Sequence, residues 1–168
     1  MSLENTPSSS QSDGRWRITN VPSGSDATSA AILNGGTAKP ITYGLTADGW
    51  DRQITQATVE DKRLTLIQDL TRPGKIAETV NIKVVASSDP NSADAILKGL
   101  SASQAVSQFV VRQGVGNDVE HEEGQIADIL TGVVGVRRPD APVENGVDTA
   151  QYTLYLTKPT DRDVVIGE

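Results

Sequence analysis

The chain has 168 residues, no cysteine and a formal net charge of −7 at neutral pH. This length suits one domain that can bury a core without a disulfide or a metal. The absence of cysteine excludes thiolate chemistry and cysteine-based zinc or iron–sulfur sites. The acidic balance disfavours tight sequence-independent binding of nucleic acid, which requires cations that neutralise phosphates. No apolar run approaches the roughly 20 residues of a membrane span, and we expect no signal peptide from the first residues.

The N-terminal residues 1–14 are polar and rich in serine, and we interpret them as a flexible arm. Residues 15–168 are expected to form a single β-rich domain. Trp16 and Ile18 alternate with polar residues in its first predicted strand. This first strand is predicted at 15–21. It is followed by a loop at 22–28, a short strand at 41–45, a turn at 46–50 and a stretch at 52–62 that is ambiguous between loop and strand.

The clearest pattern is a predicted β-hairpin over residues 63–86. Its two arms, residues 63–70 and 76–86, alternate apolar and polar side chains as half-buried strands do. Pro73 and Gly74 between them suit the two central positions of a type II turn. One face of the hairpin stays polar and must meet water or a partner. The side chains expected on this polar face are Thr65, Asp69, Thr79, Asn81 and Lys83.

The second half of the chain predicts one helix and several more strands. Asp89 and Pro90 suit a helix start, and an apolar stripe follows at i, i+3, i+4 and i+7 spacing. The stripe consists of Ala93, Ile96, Leu97 and Leu100. Strands are predicted at 104–112, 125–137, 149–157 and 163–166, with a long turn at 138–148. Many strands and one short helix indicate a mainly β protein, either a sandwich or a partial barrel.

No stretch of the sequence carries a recognisable catalytic or metal-binding motif. His121 is the only histidine, and within the acidic loop 117–123 we interpret it as a solvated residue. Gly114 and Gly116 lack the strand-to-helix context of a phosphate-binding loop. We therefore predict that the protein is not an enzyme, and that it has no catalytic residues, no cofactor and no bound metal.

Several short motifs, in their order and spacing, resemble the major tail protein (tail tube protein) family of long-tailed, non-contractile phages of actinobacteria. The resemblance extends over residues 41–166. The motifs are TADGW at 46–50, the Pro73-Gly74 turn, the helix at 89–100, RQGV at 112–115 and GVRRPDAP at 135–142.

The resemblance implies a virion structural protein with a β-sandwich-like fold, six copies of which form a ring. The inner sheets of the ring would join into a continuous barrel, and stacked rings would form the tube through which phage DNA passes at ejection. The implied partners are further copies of the chain, the tape measure protein inside the tube, and the tail terminator and distal tail proteins at its ends. The implied location is the virion tail, with no membrane, after assembly in the cytoplasm of the bacterial host.

Under this interpretation the polar hairpin face lines the lumen, where an acidic surface would repel DNA. The acidic loop is expected to contact the neighbouring ring. Strands 63–70 and 104–112 are expected to be open edges that pair between subunits. The inter-ring candidates are Asn117, Asp118, Glu120, His121, Glu122 and Glu123, and the edge-strand candidates are Ile67 and Val110.

Two other functions stay open at this point. A monomeric β-sandwich binding module, such as a capsid decoration or adhesion domain, would have a similar fold but would not assemble. A tube protein of a phage-like injection or secretion device would share the architecture but not the DNA cargo.

Overall fold

A computed structural model describes residue 9, residues 11–65 and residues 67–168. This part of the chain is mainly β, as predicted, with nine strands, two α-helices and one 3₁₀ turn. In chain order these elements are β1 (Trp16–Pro22), α1 (Ala30–Leu33), β2 (Lys39–Pro40), the 3₁₀ turn Thr42–Gly44, β3 (Leu45–Asp61), β4 (Leu70–Val85), α2 (Ala93–Ser103), β5 (Val106–Gln113), β6 (Ile126–Val134), β7 (Arg138–Pro139), β8 (Thr149–Leu156) and β9 (Asp161–Val165). Most of the predicted arm 1–14 lies outside the described residues.

The strands form one antiparallel sheet in the order β2-β1-β5-β6-β8-β4-β3. Strand β7 also pairs with β8, and β9 pairs with β6. Strand β8 pairs with residues 132–134 of β6, whereas β9 pairs with residues 126–129 of the same strand. The sheet therefore divides along β6 into a part completed by β9 and a part that continues through β8 and β4 to β3. This arrangement is consistent with the predicted β-sandwich or partial barrel.

Two apolar clusters lie on opposite faces of the sheet, because successive side chains of a strand point to opposite sides. The larger cluster includes Phe109 and Leu130, and α2 covers it with the buried side chain of Leu97. The smaller cluster includes their sequence neighbours Val110 and Ile129. Both faces of the central strands are thus buried, which explains their nearly continuous apolar sequences.

Helix α2 begins at Ala93, four residues after the predicted start at Asp89. The cap is Ser92, whose Oγ accepts a hydrogen bond from the backbone N–H of Ala95 at 3.2 Å. Asp89 instead stabilises the turn before the helix, where its Oδ1 accepts from the N–H of Asn91 at 2.9 Å. Neither helix of the described chain is long and apolar enough to span a membrane.

A buried carboxylate fastens α2 to the sheet. The Oδ1 and Oδ2 atoms of Asp94 accept hydrogen bonds from Nε and Nη2 of Arg137 at 3.0 and 2.9 Å. The hydroxyl of Tyr152, on β8, donates to Oδ1 at 2.7 Å. Burial raises the pKa of Asp94, but the hydrogen bonds from Arg137 and Tyr152 and the charge of Arg137 outweigh it, so the pKa is lowered.

The predicted hairpin at residues 63–86 is wrong in its first arm and in its turn. Residues 62–69 connect β3 to β4, and the side chains of Leu64 and Ile67 there are 104% and 107% exposed. Pro73 does not form the turn, because it lies inside β4 and pairs with Thr58 of β3. The second arm is correct, since β4 continues to Val85.

The predicted turn at 46–50 is a bulge within β3. Leu45 pairs with Val84 and Trp50 with Ile82, so four residues of β3 lie opposite Lys83 alone. A Cβ atom at Gly49 would collide with the carbonyl oxygen of Lys83, which accounts for the glycine. The short strand predicted at 41–45 is also wrong, because residues 42–44 form the 3₁₀ turn.

Candidate functional site

Strands β8, β4 and β3 carry a polar surface, which we call the polar face. Residues that pair directly across two strands have side chains on the same face. Asp51 pairs with Asn81, and Asn81 also pairs with Thr153. On the same face Gln53 pairs with Thr79, and Lys83 pairs with Gln151. The intervening residues of β4 are Val80, Ile82 and Val84, which are buried on the opposite side. We define the polar face by the side chains of Asp51, Gln53, Thr79, Asn81, Lys83, Gln151 and Thr153.

Three of the five predicted lumen residues, Thr79, Asn81 and Lys83, therefore lie together on the polar face. Thr65 and Asp69 do not join them, because both lie in the connection between β3 and β4. The lumenal role of this face stays a prediction.

Asp140, just after β7, contacts two residues of the polar face and the adjacent Thr149. Its Oδ2 accepts from the hydroxyl of Thr149 at 2.6 Å, and its Oδ1 accepts from the side-chain amide of Gln151 at 2.7 Å. The Nζ of Lys83 lies 3.7 Å from Oδ2. The hydrogen bond from Thr149 is the main cause of the lowered pKa of Asp140; burial opposes it, and Gln151 and Lys83 add to it. Asp140 is thus ionised at neutral pH.

The second cation of this region, Arg138, lies on β7. It pairs with Gln151 across the strands and donates from Nη2 to Oγ1 of Thr153 at 2.9 Å. Lys83 pairs with the same Gln151 from β4. The surface therefore carries both signs of charge, which differs from the acidic surface that we expected.

Before Val80 in the sequence, β4 does not pair with β8 and forms with β3 a two-stranded extension that we call the ribbon, residues 53–61 and 70–79. Its apolar side chains are partly exposed, among them Ile54 at 44% and Ile76 at 58%. Within the described residues β3 pairs only with β4, so the other edge of a 17-residue strand is open. Long open edges with exposed apolar side chains are typical of surfaces that pair with another chain.

A charged cluster anchors the base of the ribbon. Arg52 of β3 donates from Nε to Glu78 of β4 and from Nη1 to Oδ2 of Asp128, on β6, at 2.6 Å. Glu78 also accepts from the hydroxyl of Thr160 at 3.0 Å and from Nη2 of Arg162 at 3.1 Å. Burial opposes the charge on Arg52, but the two carboxylates outweigh it and raise its pKa. The sequence showed no local signal for this cluster, whose members come from distant strands.

The predicted edge strands are not edges. Ile67 lies in the exposed connection at 62–69, and Val110 lies on β5, which pairs with β1 on one side and β6 on the other. These assignments fail because the alternation at 63–70 does not reflect burial, and because the order of strands cannot be read from β5 itself.

The loop after β5 is organised by Arg112, whose side chain is fully buried. Its guanidinium donates hydrogen bonds to the carbonyl oxygens of Gly116, Val119 and Glu120 at 2.7–2.8 Å, and to Oε1 of Gln125 at 2.9 Å. Burial, together with the nearby charge of Arg17, lowers the pKa of Arg112. The RQGV motif marks this position in the sequence, but it does not show how the guanidinium is used.

The interpretation of His121 as a solvated residue is wrong, because its side chain is 2% exposed. The loop folds back on β1, where Nε2 of His121 lies 3.1 Å from Oγ1 of Thr19. Asn34 accepts from its backbone N–H at 2.9 Å and donates to its carbonyl oxygen at 2.7 Å. Burial lowers the pKa of His121 to about 4, and the charges of Arg112 and Arg17 add to this effect.

The six inter-ring candidates are thus divided by burial. Asn117 is buried, as is His121, whereas the other four are exposed. The exposed residues are Asp118, Glu120, Glu122 and Glu123. Among the residues that the structure describes, no group of carboxylates and histidine is arranged to hold a metal ion.

The sequence matches the phage tail tube protein family over residues 3–168. The chain belongs to this family. The fold of this tail tube protein is similar to that of a chain in the cryo-EM structure of the anti-feeding prophage (AFP) baseplate, 6-fold symmetrised, with a TM-score of 0.58 and 12% identity over 98% of each chain. At that identity the likeness shows the fold alone. In the comparison with curated proteins, none matches.

Membership confirms the tail tube resemblance found in the sequence. The tail tube protein is a structural component of the virion tail that assembles with itself and other tail components, and its family is not an enzyme family. The open edge of β3 and the polar face beside it are the described surfaces that best suit self-assembly.

Proposed function

We propose that this chain forms hexameric rings that stack into a phage tail tube and that the tube conducts DNA at ejection. The observation that carries the proposal is the open edge of β3 beside the polar face, in a member of the tail tube family. An unpaired strand edge is a liability in a monomer, whereas closing a ring pairs it, as in a barrel. The structure that shares this fold is 6-fold symmetrised, which supports a ring of six.

The ring would close head to tail, so that the outer edge of β3 in one subunit meets a different edge of the next. The joined sheets would then form a continuous barrel with the polar face inside. Thr79, Asn81 and Lys83 would line the lumen. This orientation is supported by the composition of the two faces of β4, since the opposite face carries the buried core.

Contacts between rings would involve the exposed acids of the loop after β5, at 118, 120, 122 and 123. The loop joins β5 to β6, and the connection 62–69 joins β3 to β4; the antiparallel strand order puts both at the same end of the sheet. The exposed Leu64 and Ile67 of that connection add an apolar surface at this end. Stacking on the next ring would cover both.

The remaining expectations become part of the same proposal. Residues 15–168 form the tube domain and residues 1–14 the arm. The tail is long and non-contractile, the host is an actinobacterium, and the subunit assembles in its cytoplasm. The partners are the tape measure protein inside the tube and the tail terminator and distal tail proteins at its ends.

Electron microscopy of the purified full-length chain over a range of protein concentrations tests the proposal. Tubes or six-fold rings are the expected result. A species that stays strictly monomeric at high concentration would contradict ring formation and favour a monomeric binding module. Sedimentation velocity on the same samples distinguishes a ring from an amorphous aggregate by its defined mass.

A second candidate is a tube protein of a phage-like injection device. The fold shared with a chain of the anti-feeding prophage baseplate favours it. Both candidates predict tubes, and they differ in cargo. Particles purified from producing cells and treated with nuclease should retain protected DNA if the tube belongs to a DNA-containing virion, and should hold none if it belongs to an injection device.

A further inference from the structure

Two cations and an amide form a row across the polar face and the adjoining β7. Lys83 on β4 and Arg138 on β7 both pair with Gln151 of β8. Neighbouring strands lie about 4.8 Å apart, so the backbones of Lys83 and Arg138 are about 10 Å from each other. A row of this kind, open to solvent, has the chemistry that binds the phosphates of a nucleic-acid backbone.

Asp140 lies where its negative charge offsets the positive charge of this row. Its carboxylate bonds to Thr149 and Gln151 and lies within ion-pair distance of Lys83. Two hydrogen bonds hold the carboxylate in place, so the negative charge is fixed beside Lys83 rather than carried on a free side chain. Asp48 and Asp51 line the same depression as Lys83 and Arg138. Asp48 and Asp51 each accept one side-chain hydrogen bond, from Thr46 and Gln53. Of the three acids, Asp140 is the one that accepts two such bonds and lies within ion-pair distance of Lys83.

We propose that Asp140 is the residue that keeps the polar face from binding DNA. With Asp140 ionised, a passing phosphate meets a neutralised Lys83, and Arg138 is engaged by Thr153 at 2.9 Å. Without that charge, Lys83 and Arg138 together would attract phosphates. The relevance to DNA passage rests on the proposed lumenal position of the polar face, whereas the masking itself is a property of the single chain.

The test compares Asp140→Asn with Asp118→Asn in binding to a short double-stranded DNA fragment at low salt. An asparagine at 140 keeps one acceptor oxygen for the side-chain amide of Gln151, and the hydroxyl of Thr149 can rotate to accept from the new N–H. The substitution therefore removes the charge with little change in shape. Asp118 is an exposed acid in the loop after β5, and its substitution changes the net charge equally. We expect about tenfold tighter binding for Asp140→Asn, the size of a charge-assisted contact, and little change for Asp118→Asn.

The salt dependence adds a second readout. Each neutralised phosphate contributes about −0.9 to the slope of log affinity against log salt, so the one newly available cation, Lys83, should steepen the slope by about 1. Adding Lys83→Gln to Asp140→Asn should abolish most of the gain. Equal gains in Asp140→Asn and Asp118→Asn, or no gain in either, would overturn the proposal, because the effect would then be one of net charge or absent.

A measurement that does not depend on the folding of the Asp140 variant uses Lys83→Gln alone. If Asp140 masks Lys83, removing Lys83 from the otherwise unchanged chain should leave DNA binding unchanged. A clear loss of binding would show that Lys83 is not masked. The masking by Asp140 and the proposed tube can fail independently. Tubes seen by electron microscopy, with no change in DNA binding for Asp140→Asn, would refute only the masking. A monomer in which Asp140→Asn binds DNA more tightly would refute only the tube.

Discussion

Replacing Asp94 with asparagine should destabilise the subunit substantially, because this carboxylate joins α2 to Tyr152 on β8 and to Arg137 in the connection after β6. The substitution keeps the size of the side chain but removes the charge that receives two hydrogen bonds from Arg137. It also leaves an amide that can turn an N–H toward the Tyr152 hydroxyl, which is fully buried. The variant therefore tests the polar contacts with little change in packing volume.

The expected loss follows from the geometry of the pair. Removing one partner of a fully buried ion pair costs about 3–5 kcal/mol, and one hydrogen bond to a charged group contributes about 1.5–3 kcal/mol. The side chain of Asp94 is 6% exposed but that of Arg137 is 28% exposed, so the freed guanidinium can regain some water. We therefore expect a loss of about 2–4 kcal/mol. For a chain of this size the melting temperature should fall by about 5–15 °C.

Urea unfolding followed by far-UV circular dichroism measures the change. The matched control is Asp89→Asn, an exposed acid in the turn before the same helix, which should change stability by less than about 0.5 kcal/mol. A double-mutant cycle with Arg137→Gln should return a coupling of about 1–3 kcal/mol. If Asp94→Asn and Asp89→Asn unfold at the same urea concentration, the carboxylate does not fasten α2 as the hydrogen bonds indicate.

The difference in unfolding free energy between wild type and Asp94→Asn should depend on pH in a defined direction. The pKa of Asp94 is lowered in the folded chain, below the unfolded value of about 3.9. Such a group contributes its full stability above the unfolded pKa and loses it as pH falls through the folded pKa. The gap between wild type and Asp94→Asn should be constant from neutral pH to about 5 and close below about 4. A gap that is unchanged at pH 3 would show that the charge is not its source.

The other predictions concern the loop after β5 and the open edge. Arg112→Lys should cost about 2–3 kcal/mol and speed amide exchange in that loop, because an ammonium cannot span three carbonyl groups; unchanged exchange would contradict this role. The pKa of His121, about 4 in the folded chain against 6.5 ordinarily, predicts stability that falls as pH drops from 6.5 toward 4. His121→Gln should remove this dependence between pH 6.5 and about 5, above the range in which carboxylates titrate. Successive N–H groups of β3 point alternately toward β4 and toward the open edge, so either Gln53→Pro or Ile54→Pro removes a donor from that edge. That variant should fold but fail to assemble, whereas Ile67→Pro should assemble. Assembly by both β3 variants would exclude this edge.

Strands with buried side chains were predictable from the sequence. β1, β5, β6 and β8 were all found, because burial imposes an apolar pattern that survives in the sequence around residues such as Phe109, Leu130 and Leu154. Burial also made the second arm of the hairpin correct, since Val80, Ile82 and Val84 alternate on one side of β4. The sequence therefore predicted the polar face correctly for Thr79, Asn81 and Lys83, which alternate with these buried residues.

The ribbon was missed for the same reason. Residues 53–60 include two threonines and two glutamines and are exposed on both faces, so no apolar period marks them as a strand. The neighbouring residues 63–70 alternate in sequence although residues 62–69 connect β3 to β4, so the pattern predicts the first arm in the wrong place. The true partner of β4 therefore lay in the stretch that was ambiguous between loop and strand.

The buried loop residues depended on contacts distant in sequence. His121 is held by Thr19 and Asn34, which lie 102 and 87 residues earlier. Local composition around His121 is acidic and predicts exposure, whereas the fold brings β1 and the turn after α1 against the loop. A buried arginine such as Arg112 is equally invisible, because its partners are backbone carbonyls that any sequence would offer.

The ribbon is the part of the chain that we expect to depend most on assembly. An isolated two-stranded hairpin is marginally stable in water, and at about 3.4 Å per residue the ribbon extends roughly 30 Å beyond the sheet. Its only charged anchor in the described chain, the Arg52–Glu78–Asp128–Arg162 cluster, lies at its base. Ile54 and Ile76 farther along are left partly exposed. We therefore expect a neighbouring subunit to stabilise the distal ribbon, so a change such as Glu78→Gln, which loosens the base, should impair tube assembly more than it lowers the stability of the single chain.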